Sequence, residues 1–293
     1  MVHLRSVQLA NGETLGYRER EGGDHVLLLV HGNMSTSQHW DVLMEKIDSR
    51  FRVIAVDQRG FGTSTYNQRI HSLKDFAEDL KQFTDVLGLK KFSLMGWSMG
   101  GGVAMQFAAN YPDQVDKLIL LASASTRGYP IYSYDEKGQP IKRLETREEI
   151  EKDPLRAQPI EAAYRNRDKD FLRNLWDTMI YFHKKPDEKR YDIYLEEIMT
   201  QRNLVDVYHA LNIFNISDHH NGLVQGTGEV HKITMPVLLI QGKNDLLVTE
   251  KMANEILEDI GENARMVLLE QCGHSPQVEQ LDRLVEEVEN FLR

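Results

Sequence analysis

The sequence predicts an α/β fold with a mostly parallel central sheet, interrupted by a helical insertion. Three observations predict it. Apolar runs of strand length alternate with helical periodicity over residues 1–124. The alternation stops over residues 125–229, where charge, tyrosine and helix formers increase and no strand run is visible. It resumes over residues 230–293, so the outer parts complete one pattern across the middle.

The elements follow in order. Val7-Gln8-Leu9 and Leu15-Gly16-Tyr17 flank Asn11-Gly12, a strong signal for a hairpin turn. Val26 to Val30 and Val53 to Val56 are continuous apolar runs, as strands buried on both faces require. Between them Trp40, Leu43, Met44 and Ile47 recur at helical spacing. Leu73 to Leu87 reads as a helix with Phe76, Leu80, Phe83 and Leu87 on one face and Gly88 as its stop. Phe92 to Met95 and Lys117 to Ala122 are further strands. In the middle segment, Phe171, Leu175, Met179 and Phe182 fit one helix face, and Tyr191, Leu195, Ile198 and Met199 another. Val237 to Ile240 and Met266 to Leu269 restore the strand rhythm, and an amphipathic helix carrying Leu281, Leu284, Val288 and Phe291 closes the chain.

Composition narrows the functional classes. In 293 residues, 35 Lys+Arg against 45 Asp+Glu give a net charge of −10. Such a chain has no general attraction to nucleic acid or anionic lipid. Lys184-Lys185 and Lys189-Arg190 alternate with Pro186, Asp187 and Glu188, as a solvated loop and helix start do. Cys272 is the single cysteine, so no intrachain disulfide forms. The N-terminal residues lack a signal-peptide core, and no apolar stretch reaches the ~18 residues of a spanning helix. The expectation is a soluble cytoplasmic protein. Neither a Gly-x-Gly-x-x-Gly nor a P-loop pattern occurs, and Asp218, His219 and His220 read as a loop rather than as metal ligands. No cofactor and no metal is expected.

The most informative residue is Ser98, in Gly96-Trp97-Ser98-Met99-Gly100. Glycines on either side let a strand turn sharply into a helix, holding the serine in a strained conformation with its Oγ presented to substrate. A serine hydroxyl needs a base, and the base needs an orienting acid. His274, in Cys272-Gly273-His274-Ser275-Pro276, follows one strand run; Asp245, in Gly242-Lys243-Asn244-Asp245, follows another. Ligands gather at the carboxyl ends of parallel strands, so the three would meet at one rim in the chain order Ser, Asp, His. The Met99 N–H, opening the helix after Ser98, is the first expected oxyanion donor.

Together with His31-Gly32 after a strand and Asp57-Gln58-Arg59-Gly60-Phe61-Gly62-Thr63-Ser64, these motifs resemble the α/β-hydrolase superfamily over nearly the whole chain. They resemble its serine-nucleophile, esterase- and lactonase-like branch. The resemblance implies a second oxyanion donor in His31-Gly32-Asn33-Met34, at Asn33, and a helical cap formed by residues 125–229. Dehalogenases and epoxide hydrolases of this fold place aspartate where Ser98 stands, so acyl transfer is the expected chemistry.

Asp57 is a second carboxylate at a strand end, but its Asp-x-Arg-Gly setting reads as a loop brace. His31 reads as a loop-bracing histidine and Cys272 as a small buried residue. The stretch Ala122-Ser123-Ala124-Ser125 offers no carboxylate, which leaves Asp245 as the acid.

Met34, Trp97 and Met99, with a middle segment rich in Tyr, Phe, Leu and Met, suit a medium-sized apolar ester or lactone. No cationic anchor in the pocket can be assigned. Carbon–carbon bond hydrolases, perhydrolases and acyltransferases share this residue set and remain open alternatives. A slow-turnover small-molecule receptor remains as well.

Overall fold

The computed structural model describes residues 2–293. Its centre is an eight-stranded sheet in the order β1-β2-β4-β3-β5-β6-β9-β10. These strands are β1 (Val2–Gln8), β2 (Thr14–Arg20), β3 (His25–Val30), β4 (Phe51–Val56), β5 (Phe92–Trp97), β6 (Val115–Leu121), β9 (Val237–Gly242) and β10 (Ala264–Leu269). The β1–β2 hairpin is antiparallel and β2 joins β4 antiparallel; every pairing from β4 onward is parallel. Gly12 turns the hairpin with φ 89°, as Asn11-Gly12 predicted.

The strands are apolar on both faces because both faces are covered. In β3, Leu28 and Val30 face one core and Leu27 and Leu29 the other; Val237 and Leu239 alternate in the same way with Leu238 and Ile240. On one side pack α2 (Leu73–Val86), α3 (Met99–Asn110) and α9 (Glu250–Ile260). On the other lie α1 (Asp41–Lys46) and α11 (Leu281–Leu292). Gly88, at φ 67°, ends α2 as read from the sequence. Among the described residues, no helix is long and apolar enough to cross a membrane.

Residues 125–229 carry five helices: α4 (Arg147–Glu151), α5 (Ala157–Asn166), α6 (Lys169–Met179), α7 (Glu188–Ile198) and α8 (Leu204–Ile213). They also carry a hairpin, β7 (Tyr132–Tyr134) with β8 (Pro140–Arg143), which corrects the expectation that this segment holds no strands. These strands are short and solvent-facing, so they show no apolar run. Their turn is built on Asp135, whose Oδ1 accepts from Lys137 N and Gln139 N, with Gly138 at φ 75°.

A second correction concerns α6. Leu172 and Trp176 are its buried residues, and Phe171, Leu175 and Met179 line a cavity that Trp176 also borders. Phe182 lies beyond the helix end and is 53% exposed. The basic pairs lie in a loop and at the start of α7, as expected, and they are also ion-paired: Lys185 meets Asp177 at 2.7 Å, and Arg190 meets Asp41 and Glu45 at 2.9 Å.

Candidate active site

Ser98 sits between β5 and α3 with φ 56° and ψ −120°, a left-handed conformation a side-chain-bearing residue rarely adopts. Holding it there costs about 1–3 kcal/mol. The glycines make the turn possible. A Cβ at Gly96 would collide with the Gly100 backbone, and one at Gly100 with the Val30 and His31 carbonyls.

Asp245 follows β9 and His274 follows β10. The structure joins them: His274 Nδ1 lies 2.7 Å from Asp245 Oδ2, and both side chains are almost wholly buried. Asp245 Oδ1 accepts from Leu247 N at 2.8 Å and Val248 N at 2.9 Å. Those bonds fix the carboxylate and direct Oδ2 at the imidazole. With Nδ1–H donating to Asp245, the lone pair of Nε2 is free to accept a proton.

Ser98 and His274 line one cavity of about 320 Å³, together with Asn33, Met34, Trp97 and Met99. Among the described residues, the hydrogen bonds that reach Asp245 and His274 do not extend to the Ser98 hydroxyl, which stands free at the cavity wall.

The main chain of His274 is held at both polar groups. Its N–H donates to the Ile180 carbonyl at 2.9 Å, and its carbonyl accepts from Trp97 Nε1 at 2.8 Å. Glu279 completes this clamp: its carboxylate accepts from Gly273 N at 3.0 Å, Phe182 N at 3.1 Å and His183 N at 3.0 Å. The loop bearing His274 and the chain leaving α6 are thus one hydrogen-bonded unit.

Asn33 and Met34 belong to the loop after β3, where Met34 also has a positive φ of 56°. His31 braces this loop, as expected. Its Nδ1 donates to Gly32 O at 2.7 Å, and its Nε2 accepts from Gln58 N at 3.0 Å. Full burial pushes its pKa down to about 4, against an upward pull from Asp57, so the ring is neutral. Asp57 is likewise a brace, accepting from Ser37 N at 2.8 Å and from Thr63 N and Oγ1 at 3.0 Å.

Three residues that the sequence did not single out shape the site. Gln201 Nε2 donates to Asn33 Oδ1 at 2.7 Å and to Asn203 Oδ1 at 3.1 Å, and Asn203 in turn donates to Arg59 O. The partners are 168 residues apart, so no local pattern announces the contact. Glu279 lies only five positions after His274, and its acidic type in Gly-His-Ser-Pro-Gln-Val-Glu was the one available signal. Arg156 lines the cavity, which corrects the expectation that no cation could be assigned there.

Cys272 is buried, and burial, with Glu279 and Asp245 adding to it, pushes its thiol pKa up; the sulfur is a packing atom. Asp218, His219 and His220 lie in a loop: His219 faces Asp259 of α9 at 3.8 Å, His220 Nδ1 accepts from Gly222 N, and Asp218 pairs with His231 at 2.6 Å.

Comparison with known proteins agrees with this architecture. Residues 25–281 match the family profile for the alpha/beta hydrolase fold. The chain is 24% identical over 293 residues to a Pseudomonas 2-hydroxy-6-oxononadienedioate/2-hydroxy-6-oxononatrienedioate hydrolase, covering 98% of this chain and 95% of that one. It is 27% identical over 266 residues to a pimeloyl-[acyl-carrier protein] methyl ester esterase of Nitrosomonas europaea, covering 88% and 92%. An esterase structure from Exiguobacterium antarcticum superposes with a TM-score of 0.75 at 19% identity, over 98% of both chains. The chain belongs to the alpha/beta hydrolase family.

Proposed function

We infer that the protein is a serine hydrolase of carboxylic esters, lactones included, acting through an acyl-enzyme on Ser98. The observation that carries this reading is the strained Ser98 presented to a cavity whose wall also holds an imidazole already paired with a buried carboxylate.

His274 Nε2 takes the Ser98 proton as Oγ attacks the ester carbonyl carbon. Asp245 keeps the proton on Nδ1 and stabilises the imidazolium that forms. The backbone N–H groups of Met99 and Asn33 face the developing oxyanion, and losing one such donor typically costs about 10²–10³ in rate. The tetrahedral intermediate collapses, and the alkoxide leaves with the proton from His274. Water then attacks the acyl-enzyme through the same base and regenerates Ser98.

The test is hydrolysis of short and medium p-nitrophenyl esters. We expect turnover by the wild type and a loss of about 10³-fold or more in Ser98→Ala. Unchanged activity in Ser98→Ala overturns the reading.

One comparison favours a second reading. A relative aligned over 98% of the chain is named a 2-hydroxy-6-oxononadienedioate/2-hydroxy-6-oxononatrienedioate hydrolase, and water adding at a 6-oxo carbonyl leads to cleavage of the adjoining carbon–carbon bond, a reaction the same three side chains would serve. Faster cleavage of a 2-hydroxy-6-oxo-dienoate than of any ester would replace ester hydrolysis with carbon–carbon hydrolysis.

A further inference from the structure

We propose that Arg156 anchors a carboxylate on the substrate, so that the preferred ester carries a negative charge away from the bond cleaved. The kinetic part of this inference rests on the acyl-transfer reading of Ser98; the binding part rests on the cavity wall alone.

The described wall residues include no aspartate, glutamate or lysine, and Arg156 is their one permanent cation. Its guanidinium carbon stands 5.6 Å from the ring centroid of Tyr208, a wall residue, and 5.9 Å from that of Tyr134, which is exposed. The cation therefore sits at the cavity mouth, between the apolar interior and solvent.

Three other arginines of the same segment are committed to the protein. Arg147 pairs with Asp206 at 3.0 Å, Arg143 with Asn212 at 2.9 Å and Arg190 with Asp41 at 2.9 Å. Among the described residues, Arg156 has no carboxylate oxygen within 4.0 Å of its guanidinium nitrogens. Asp153 is close in sequence but occupied, its Oδ1 accepting the backbone N–H of Leu155 at 2.9 Å and of Arg156 at 2.7 Å.

A planar guanidinium beside aromatic rings keeps edge N–H groups in the geometry that pairs with a carboxylate. No second cation stands on this wall to neutralise a dianion, so a carboxylate fits better than a phosphate. Apolar walls between Ser98 and the mouth suit the hydrocarbon part of such a half-ester.

The experiment compares monomethyl esters of dicarboxylic acids, from succinate to sebacate, with methyl alkanoates of matched length. Acetate esters of ω-hydroxy acids form a second arm, with the carboxylate on the alcohol side. In the wild type, kcat/KM for the carboxylate-bearing ester should exceed that of its neutral match by about tenfold at the best length in one arm. In Arg156→Met, which keeps the stem and removes the charge, the ratio should fall to near unity through KM. Arg156→Lys should restore it in part.

A wild-type ratio near unity in both arms, or a ratio unchanged in Arg156→Met, overturns the proposal. If no ester of either kind is cleaved in a Ser98-dependent way, the acyl-transfer reading fails instead. Calorimetric titration with monomethyl suberate, which carries the single carboxylate the site is proposed to hold, then decides the anchor. Binding by the wild type that weakens at least about tenfold in Arg156→Met supports it; equal binding, or none by either protein, overturns it.

Discussion

The Gln201 amide donates to Asn33 Oδ1 at 2.7 Å, so the segment between α7 and α8 holds the loop proposed to bind the oxyanion. Tyr164 Oη donates to Gln201 Oε1 at 3.2 Å and fixes the amide in turn. Gln201→Ala frees the Asn33 side chain without removing its backbone N–H. We expect kcat to fall by about tenfold with KM little changed, because misplacement of a donor weakens the transition state more than the ground state. Steady-state kinetics on one p-nitrophenyl ester checks this; a change confined to KM would contradict it.

Ser98 predicts an opposition between stability and activity. Glycine at this position tolerates φ 56° without the Cβ penalty. Ser98→Gly should therefore abolish turnover while stabilising the fold by about 1 kcal/mol. Urea denaturation of both proteins measures the second effect.

Stability should decline in mild acid because of buried imidazoles. The His31 pKa falls from 6.5 to about 4 by burial, and His39 is held well below 6.5 for the same reason. Between pH 6.5 and about 4 the unfolded chain binds more protons than the folded one, so stability is lost as pH drops through that window. Each imidazole contributes a slope of about 1.4 kcal/mol per pH unit there. His31→Gln, which retains an acceptor for Gln58 N, should reduce the slope by about one proton in urea titrations from pH 7 downward.

Glu279 serves three backbone N–H groups at once. Glu279→Ala leaves them without acceptors and should cost about 3 kcal/mol, read from the urea midpoint. The His274 loop loses its clamp in the same variant, so kcat should drop alongside. Full wild-type kcat in a destabilised variant would separate the two roles.

The core strands and the Ser98, Asp245 and His274 cluster were legible because their signals are local. A buried parallel strand is an uninterrupted apolar run, and an elbow needs its glycines adjacent. The β7–β8 hairpin was not legible, since Pro140, Lys142 and Arg143 on a solvent-facing strand carry no apolar alternation. On α6 the apolar stripe was visible, but not its destination. Leu172 packs inward while Phe171, Leu175 and Met179 border a void, and periodicity cannot tell a void from a core. Gln201 and Arg156 act across folded distance, and their residue types alone say nothing of what they face.

The two main-chain bonds of His274, to Ile180 and to the Trp97 indole, have a kinetic consequence. A displacement of the α6 end would be carried to the main chain of His274 by the Ile180 bond and resisted by the Trp97 bond. Where substrate entry requires that displacement, turnover slows in viscous solvent even with activated esters, and kcat measured against glycerol concentration reads it.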